Sequence, residues 1–249
     1  MLLEGRVALV TGASRGIGAA TARLLGAEGA AVAVNYFQSE AKAMEVVADI
    51  ERGGGRARAY RADVRDGEAV REMVRRVGEE LGFVDTLVIN ASIGFPVKPF
   101  LEYTWDEFEA KLTGEMQAAF FAVQAVVPAM AQRRRGCIIG ISSGLSRQPG
   151  WGFSAHSTAK SGLDGLLKSL ALELGPMGIR VNTVAPGLTI TDATAHMPQE
   201  RRDQVVRMTP LGRVAQPEDV AGAVLLLASE HARFVTGTYL APSGGIQML

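Results

Sequence analysis

The chain has 249 residues, 26 Lys and Arg against 26 Asp and Glu, and is 47% hydrophobic and 21% charged. Zero net charge excludes a general binder of nucleic acid or of an anionic membrane surface. The length and the ordinary hydrophobic content predict one α/β domain over residues 1–249, with no linker, repeat or low-complexity tract. A lone cysteine, Cys137, excludes a disulfide framework and a Cys/His metal site, and reads as a small buried hydrophobe. Charged Glu4 and Arg6 come almost at once and no apolar run is long enough for a bilayer, so the expected location is cytoplasmic.

In chain order, an apolar run at 7–11 predicts the first strand. The turn Thr11-Gly12-Ala13-Ser14-Arg15-Gly16-Ile17-Gly18 follows it and opens a helix over 19–28. Strand, glycine turn and helix together aim unpaired backbone N–H groups at an anion, with the helix dipole in support. Gly12 suits the tight turn, Gly16 the close approach of a pyrophosphate, and Gly18 the packing of helix on strand. Further strands are predicted at 31–36, 57–61, 86–89, 137–141, 180–184 and 238–240. Helices are predicted at 40–52, 68–81, 105–133 (as two helices), 154–174 and 217–229. Gly53-Gly54-Gly55 reads as a helix stop and turn, and Arg133-Arg134-Arg135 as the cationic end of a helix.

Strands alternating with helices imply a doubly wound, seven-stranded parallel sheet flanked by helices, of Rossmann type. Ligands of such sheets sit at the carboxyl ends of the strands, which places the chemistry near residues 11, 36, 63, 90, 142 and 185.

The motifs at those ends, Thr-Gly-x-x-x-Gly-x-Gly at 11–18, Asp63-Val64, Asn90-Ala91, Ser142-Ser143, Lys160 and Pro186-Gly187, occur in an order and spacing that resembles the short-chain dehydrogenases/reductases. The likeness runs the whole length. It is nearest to the 3-oxoacyl-carrier-protein reductases, and in the C-terminal third to enoyl reductases of the same superfamily. The resemblance implies a nicotinamide dinucleotide held by Gly12, Ser14, Arg15, Gly16, Ile17 and Gly18, with Asn35 and Tyr36 at the second strand end. It implies that Asp63 accepts from the adenine amino group beside Val64, that Asn90 and Ala91 line the cofactor, and that Pro186, Gly187, Thr189 and Thr191 hold the nicotinamide carboxamide. Taken alone, Asp63 reads equally well as a helix N-cap. The second strand ends in Val34-Asn35-Tyr36, without the acid that would accept from a ribose 2′-hydroxyl, and Arg15 stands in the turn. That combination predicts NADP(H).

The catalytic half departs from the family's pattern. The family's Tyr-x-x-x-Lys is His156-Ser157-Thr158-Ala159-Lys160 here. The Lys that holds the nicotinamide ribose is kept, and the proton-donating Tyr is His. The enoyl-reductase placement of that Tyr falls on Phe153. The family's Asn in the preceding long helix is Glu115, and its Asn-Ala-Gly is Asn90-Ala91-Ser92. Ser143 keeps the position of the Ser that hydrogen-bonds a substrate carbonyl. The resulting set, Ser143, His156, Lys160 and Glu115, predicts an acid/base dyad in which Glu115 orients His156. A space-filling His156 in an inactive site is the competing reading. Phe95, Pro96, Val97, Trp151, Phe153, His196 and Met197 suggest an apolar or aromatic substrate, acyl- or polyketide-like, free or carrier-bound.

The expected function is an NADPH-dependent reductase of a carbonyl or activated alkene. A non-redox cyclase, dehydratase or isomerase on the same fold, and a non-catalytic partner subunit, remain the alternatives. The family's habit implies a homotetramer or homodimer through the helices near 113–133 and 154–174.

Overall fold

The computed structural model describes residues 1–248. The strands are β1 (Val7–Val10), β2 (Ala31–Tyr36), β3 (Arg56–Arg61), β4 (Thr86–Ile89), β5 (Gly136–Ile141), β6 (Ile179–Val184) and β7 (Tyr239–Leu240). They pair in parallel into one sheet, ordered β3-β2-β1-β4-β5-β6-β7. The order reverses between β1 and β4, which opens a crevice at their carboxyl ends.

The strands are apolar on both faces because both faces are covered. Ala8, Val10, Val32, Val34, Ile139 and Ile141 face one core, built with helices α1 (Gly16–Ala27), α2 (Glu40–Arg52) and, from the other end of the chain, the helix Pro217–Ala228. Val7, Leu9, Ala33, Leu87 and Ile138 face a second core beneath α3 (Gly67–Glu80), α4 (Trp105–Arg133) and α5 (Ser154–Leu174). Cys137 is buried and unpaired, its thiol directed at the Leu227 carbonyl, as expected of a small hydrophobe. No helix among the described residues is long and apolar enough to cross a membrane.

The predicted strands and helices are present, with ends shifted by at most three residues. The expectation of two helices over 105–133 is corrected: α4 is a single helix of 29 residues. Thr104 and Glu107 start it with a reciprocal cap, and Arg134 ends it at φ 49°. Pro128 lies near its C-terminal end. It removes one backbone bond there, while the buried stripe of Ala118, Ala119, Ala122 and Val126 resumes beyond it at Met130. One helix was not foreseen, α6 (Gln199–Met208). It buries no residue, so no apolar periodicity announces it. Pro217–Ala228 is therefore α7.

Candidate active site

The crevice is a cleft of about 580 Å³ at the carboxyl ends of β1, β2 and β4. Gly12, Ser14, Arg15, Gly16 and Ile17 line its middle. Asn35, Tyr36, Asp63 and Val64 line one side, and Asn90, Ala91 and Thr191 the other. Gly12 has φ +61°, and a Cβ there would lie 2.9 Å from the Ala91 Cα, so the tight turn needs glycine. Gly18 stands outside the cleft and does what packing requires: a Cβ would lie 2.4 Å from Asn90 Nδ2. The first turn of α1 opens into the cleft without a capping side chain. The unpaired N–H groups of α1 are thus left for an anion.

Several expected cofactor contacts are indirect. Asn35 turns its amide inward: Oδ1 accepts from Gly12 N at 3.0 Å, and Nδ2 donates to the Ala62 carbonyl at 3.1 Å. It braces the glycine turn from below. Tyr36 is buried, and burial first, then the nearby Glu40 carboxylate, raises its phenol pKa. Asp63 is not a helix cap, since Asp66 has that role. Its carboxylate is gripped by Arg65 at 3.0 and 2.7 Å, a bond that holds its pKa below the usual carboxylate range. Pro186, Gly187 and Thr189 do not line the cleft. Thr189 is buried and its hydroxyl donates to the Gly187 carbonyl at 3.2 Å; of the segment, Thr191 alone among those expected reaches the cleft. At the rim, Asp192 bridges Lys42 at 3.0 Å and Arg15 at 3.9 Å.

The inner end of the cleft, at Ser92 and Ile93, rests on a buried ionic centre. Glu115 Oε1 meets Lys160 Nζ at 2.5 Å, and Oε2 meets Lys111 Nζ at 2.6 Å. Oε2 also accepts from Ser92 Oγ at 3.1 Å and Ile93 N at 3.3 Å. Lys111 donates besides to Ser92 Oγ at 2.9 Å and the Ile93 carbonyl at 2.8 Å. Because the single Ser92 proton goes to Glu115, all three Lys111 partners are acceptors, and Lys111 must be an ammonium. Lys160 donates to the Ile141 carbonyl at 2.7 Å and to Glu115, which leaves one N–H uncommitted. Burial would raise the Glu115 pKa, but Lys160 and Lys111 outweigh it and bring the carboxyl down to about 2.

The expected Glu115–His156 dyad does not form. Both Glu115 oxygens are taken by the lysines, and His156 makes no hydrogen bond to either. Its ring instead stacks on Phe95, with centroids 4.7 Å apart and planes at 18°, and Phe153 stands edge-on at 6.4 Å. Nδ1 is buried without a partner, so Nε2 is the nitrogen left to face a ligand. Burial first, then the like charges of Lys160 and Lys111, push the His156 pKa down to about 3. The imidazole is neutral across ordinary pH. Since a buried unpaired lone pair costs less than a buried unpaired N–H, the proton belongs on Nε2. Ser143 Oγ accepts from Leu145 N at 3.2 Å, and its own proton is free to donate. The hydroxyl of Tyr103, the phenol nearest to His156 in the chain, donates to the Pro96 carbonyl, so it does not stand in for the Tyr that His156 replaces.

Lys111 is the member of this buried centre that sequence reasoning missed. The signal was present as Lys and Glu four apart on one helix face, a pattern that usually marks a solvated pair. Its complete burial distinguishes it here.

The family described as Enoyl-(Acyl carrier protein) reductase matches residues 12–247. An L-rhamnose 1-dehydrogenase (NAD(P)(+)) of Sphingomonas sp. (strain SKA58) is 40% identical, over 98% of this chain and 97% of its own. The 3-oxoacyl-[acyl-carrier-protein] reductase FabG of Staphylococcus epidermidis is 38% identical, over 97% of this chain and 98% of its own. A solved blue fluorescent protein from a metagenomic library, in complex with NADPH, superposes with TM-score 0.91 at 39% identity, with all of both chains covered. A dehydrogenase/reductase of Sinorhizobium meliloti 1021 superposes with TM-score 0.90 at 40% identity, covering 99% of this chain and 96% of its own. Sheet order, glycine turn and these likenesses agree: the chain belongs to the short-chain dehydrogenase/reductase family.

Proposed function

We propose that the protein is an NADPH-dependent oxidoreductase acting on the carbonyl or activated alkene of an apolar or aromatic substrate. The observation that carries this reading is the uncapped glycine turn, which leads along an acid-free β2 end on one side and to the buried Lys160 centre on the other. The residues present fit the dinucleotide. The cradle at Gly12 and Gly16 tolerates no Cβ without strain, the α1 N–H groups await a phosphate, and Arg15 and Lys42 stand at the rim where a 2′-phosphate would be met. The solved relative that holds NADPH, and the NAD(P)(+) of the dehydrogenase relative's name, support the same cofactor.

When bound, the reduced nicotinamide supplies a hydride to the substrate carbon. The chain's own residues manage the oxygen. Ser143 Oγ–H and His156 Nε2–H donate to it, the imidazole as a neutral hydrogen-bond donor rather than as an acid. Lys160 Nζ keeps an uncommitted N–H and is the ammonium proton available to the developing alkoxide. Phe95 and Phe153 flank His156, which favours an aromatic or extended apolar group over a polyol. Carrier-bound acyl substrates belong to the same class, and a homotetramer or homodimer is the assembly we infer from the family.

A panel of aromatic ketones and enones, assayed by oxidation of 4-deuterated NADPH, tests the proposal. The expected result is deuterium on the product carbon. Turnover of a substrate without any dependence on the coenzyme would overturn it in favour of a non-redox reaction. Cofactor choice is a separate expectation. Arg15→Ala should weaken NADPH by about tenfold, roughly one charge-assisted hydrogen bond, and leave NADH unchanged in a fluorescence titration.

A further inference from the structure

The ionic centre holds two lysines and one carboxylate, so its charge is +1 if both lysines are ammonium ions. Glu115 alone would cancel Lys160. A neutral pair would stand where a substrate oxygen must take on negative charge, and the electrostatic support for that oxygen would be lost. Lys111 lies on α4 one turn before Glu115, with no exposed surface, and every one of its donors is committed inside the protein. It can touch neither substrate nor cofactor. Its ammonium also lies 5.1 Å from the Phe95 ring centroid, and Phe95 stacks on His156, so this charge and the imidazole both lie against the same ring.

We propose that Lys111 is a positioning residue that returns to the site the positive charge Glu115 takes from Lys160, and that fixes Glu115 so that Lys160 keeps one N–H free. The proposal rests on the hydride-transfer reading for its kinetic consequence, and on the protein alone for its electrostatic one. Ser92, Lys111 and Glu115 are then parts of one device. The Ser92 hydroxyl is the hinge between the two ions, since it accepts from Lys111 and donates to Glu115.

The charged groups that bear on His156 are Lys111 and Glu115 from α4 and Lys160 from its own helix, while Arg201 of α6 lies over the neighbouring Phe153 ring. Charge arithmetic therefore makes a specific pattern. Lys111→Met leaves Lys160 and Glu115 facing His156 with no net charge. The double variant Lys111→Met, Glu115→Gln leaves Lys160 alone, again +1.

Two readouts on the same three proteins test this. In NMR titrations of the histidine ring without cofactor, His156 should titrate higher in Lys111→Met than in the wild type, and return to the low value in the double variant. In NADPH turnover, Lys111→Met should lose about 10²-fold in kcat with little change in the KM for NADPH, as for removal of one transition-state stabiliser, and the double variant should recover most of that loss. A purely structural Lys111 gives no recovery. The proposal is overturned if the three proteins share one His156 titration, or if the folded double variant is no faster than the single. If wild-type turnover of NADPH is absent while the titration pattern holds, the hydride reading falls and the charge balance stands.

Discussion

Glu115→Ala should destabilise the protein by about 3–5 kcal/mol, the usual cost of leaving a buried charge without its partner. The change leaves two ammonium groups, Lys111 and Lys160, both buried, with no counter-ion between them. For a chain of this size the loss corresponds to a fall in Tm of roughly 10 °C at neutral pH. The sign of the pH dependence follows from the lysines. Burial already pushes the Lys111 pKa down, and Lys160 adds to that, while Glu115 opposes. Without Glu115 the folded state favours neutral lysine more strongly still, and the unfolded chain holds its proton up to an ordinary lysine pKa. The gap between variant and wild type should therefore shrink as pH rises toward 10. Differential scanning calorimetry at pH 7 and pH 10 checks both points. A Tm within 2 °C of the wild type, roughly under 1 kcal/mol, would contradict the buried triad.

His156→Ala should lower kcat by about 10²- to 10³-fold, the range for loss of one oxyanion donor, with NADPH affinity kept. The wild-type kcat/KM should show no limb from the imidazole between pH 5 and 8, because His156 titrates at about 3. An imidazolium acid, oriented by Glu115, would instead give a rate that falls tenfold per pH unit above its pKa. The same depressed pKa has a stability consequence. The unfolded chain binds a proton near the ordinary histidine value, which the folded site refuses. Stability is therefore fully present above pH 6.5 and is lost as pH falls from there toward 3. His156→Phe, which keeps a ring against Phe95, should flatten that part of the acid-unfolding curve.

The sheet and the crevice were legible in the sequence because each depends on local pattern. The apolar runs at 7–11 and 137–141 must serve two cores at once, and a turn with Gly12 and Gly16 has few other uses. The parts that were not legible depend on distance. Whether Glu115 reaches His156 or Lys160 is decided by how α4 crosses α5, and no spacing along the chain encodes that crossing. The inward turn of Asn35 is of the same kind: its residue type suits a strand end beside a ligand, yet Gly12 N and the Ala62 carbonyl claim its amide. Lys111 was hidden by its commonness, as a Lys preceding a Glu by one helical turn is most often a solvated pair. The replacements of Tyr by His156, Asn by Glu115 and Gly by Ser92 could each be read in the sequence as departures. The contacts join the last two through Lys111, while His156 stacks on the Phe95 ring beside that centre without a bond to it.

The most direct test is a titration of the folded protein with NADPH and with NADH, followed by the fluorescence of the bound nicotinamide. The account predicts saturable binding of NADPH, at least about tenfold tighter than NADH, consistent with one charge-assisted contact from Arg15 or Lys42 to the 2′-phosphate. No binding of either coenzyme, or tighter binding of NADH, would contradict it.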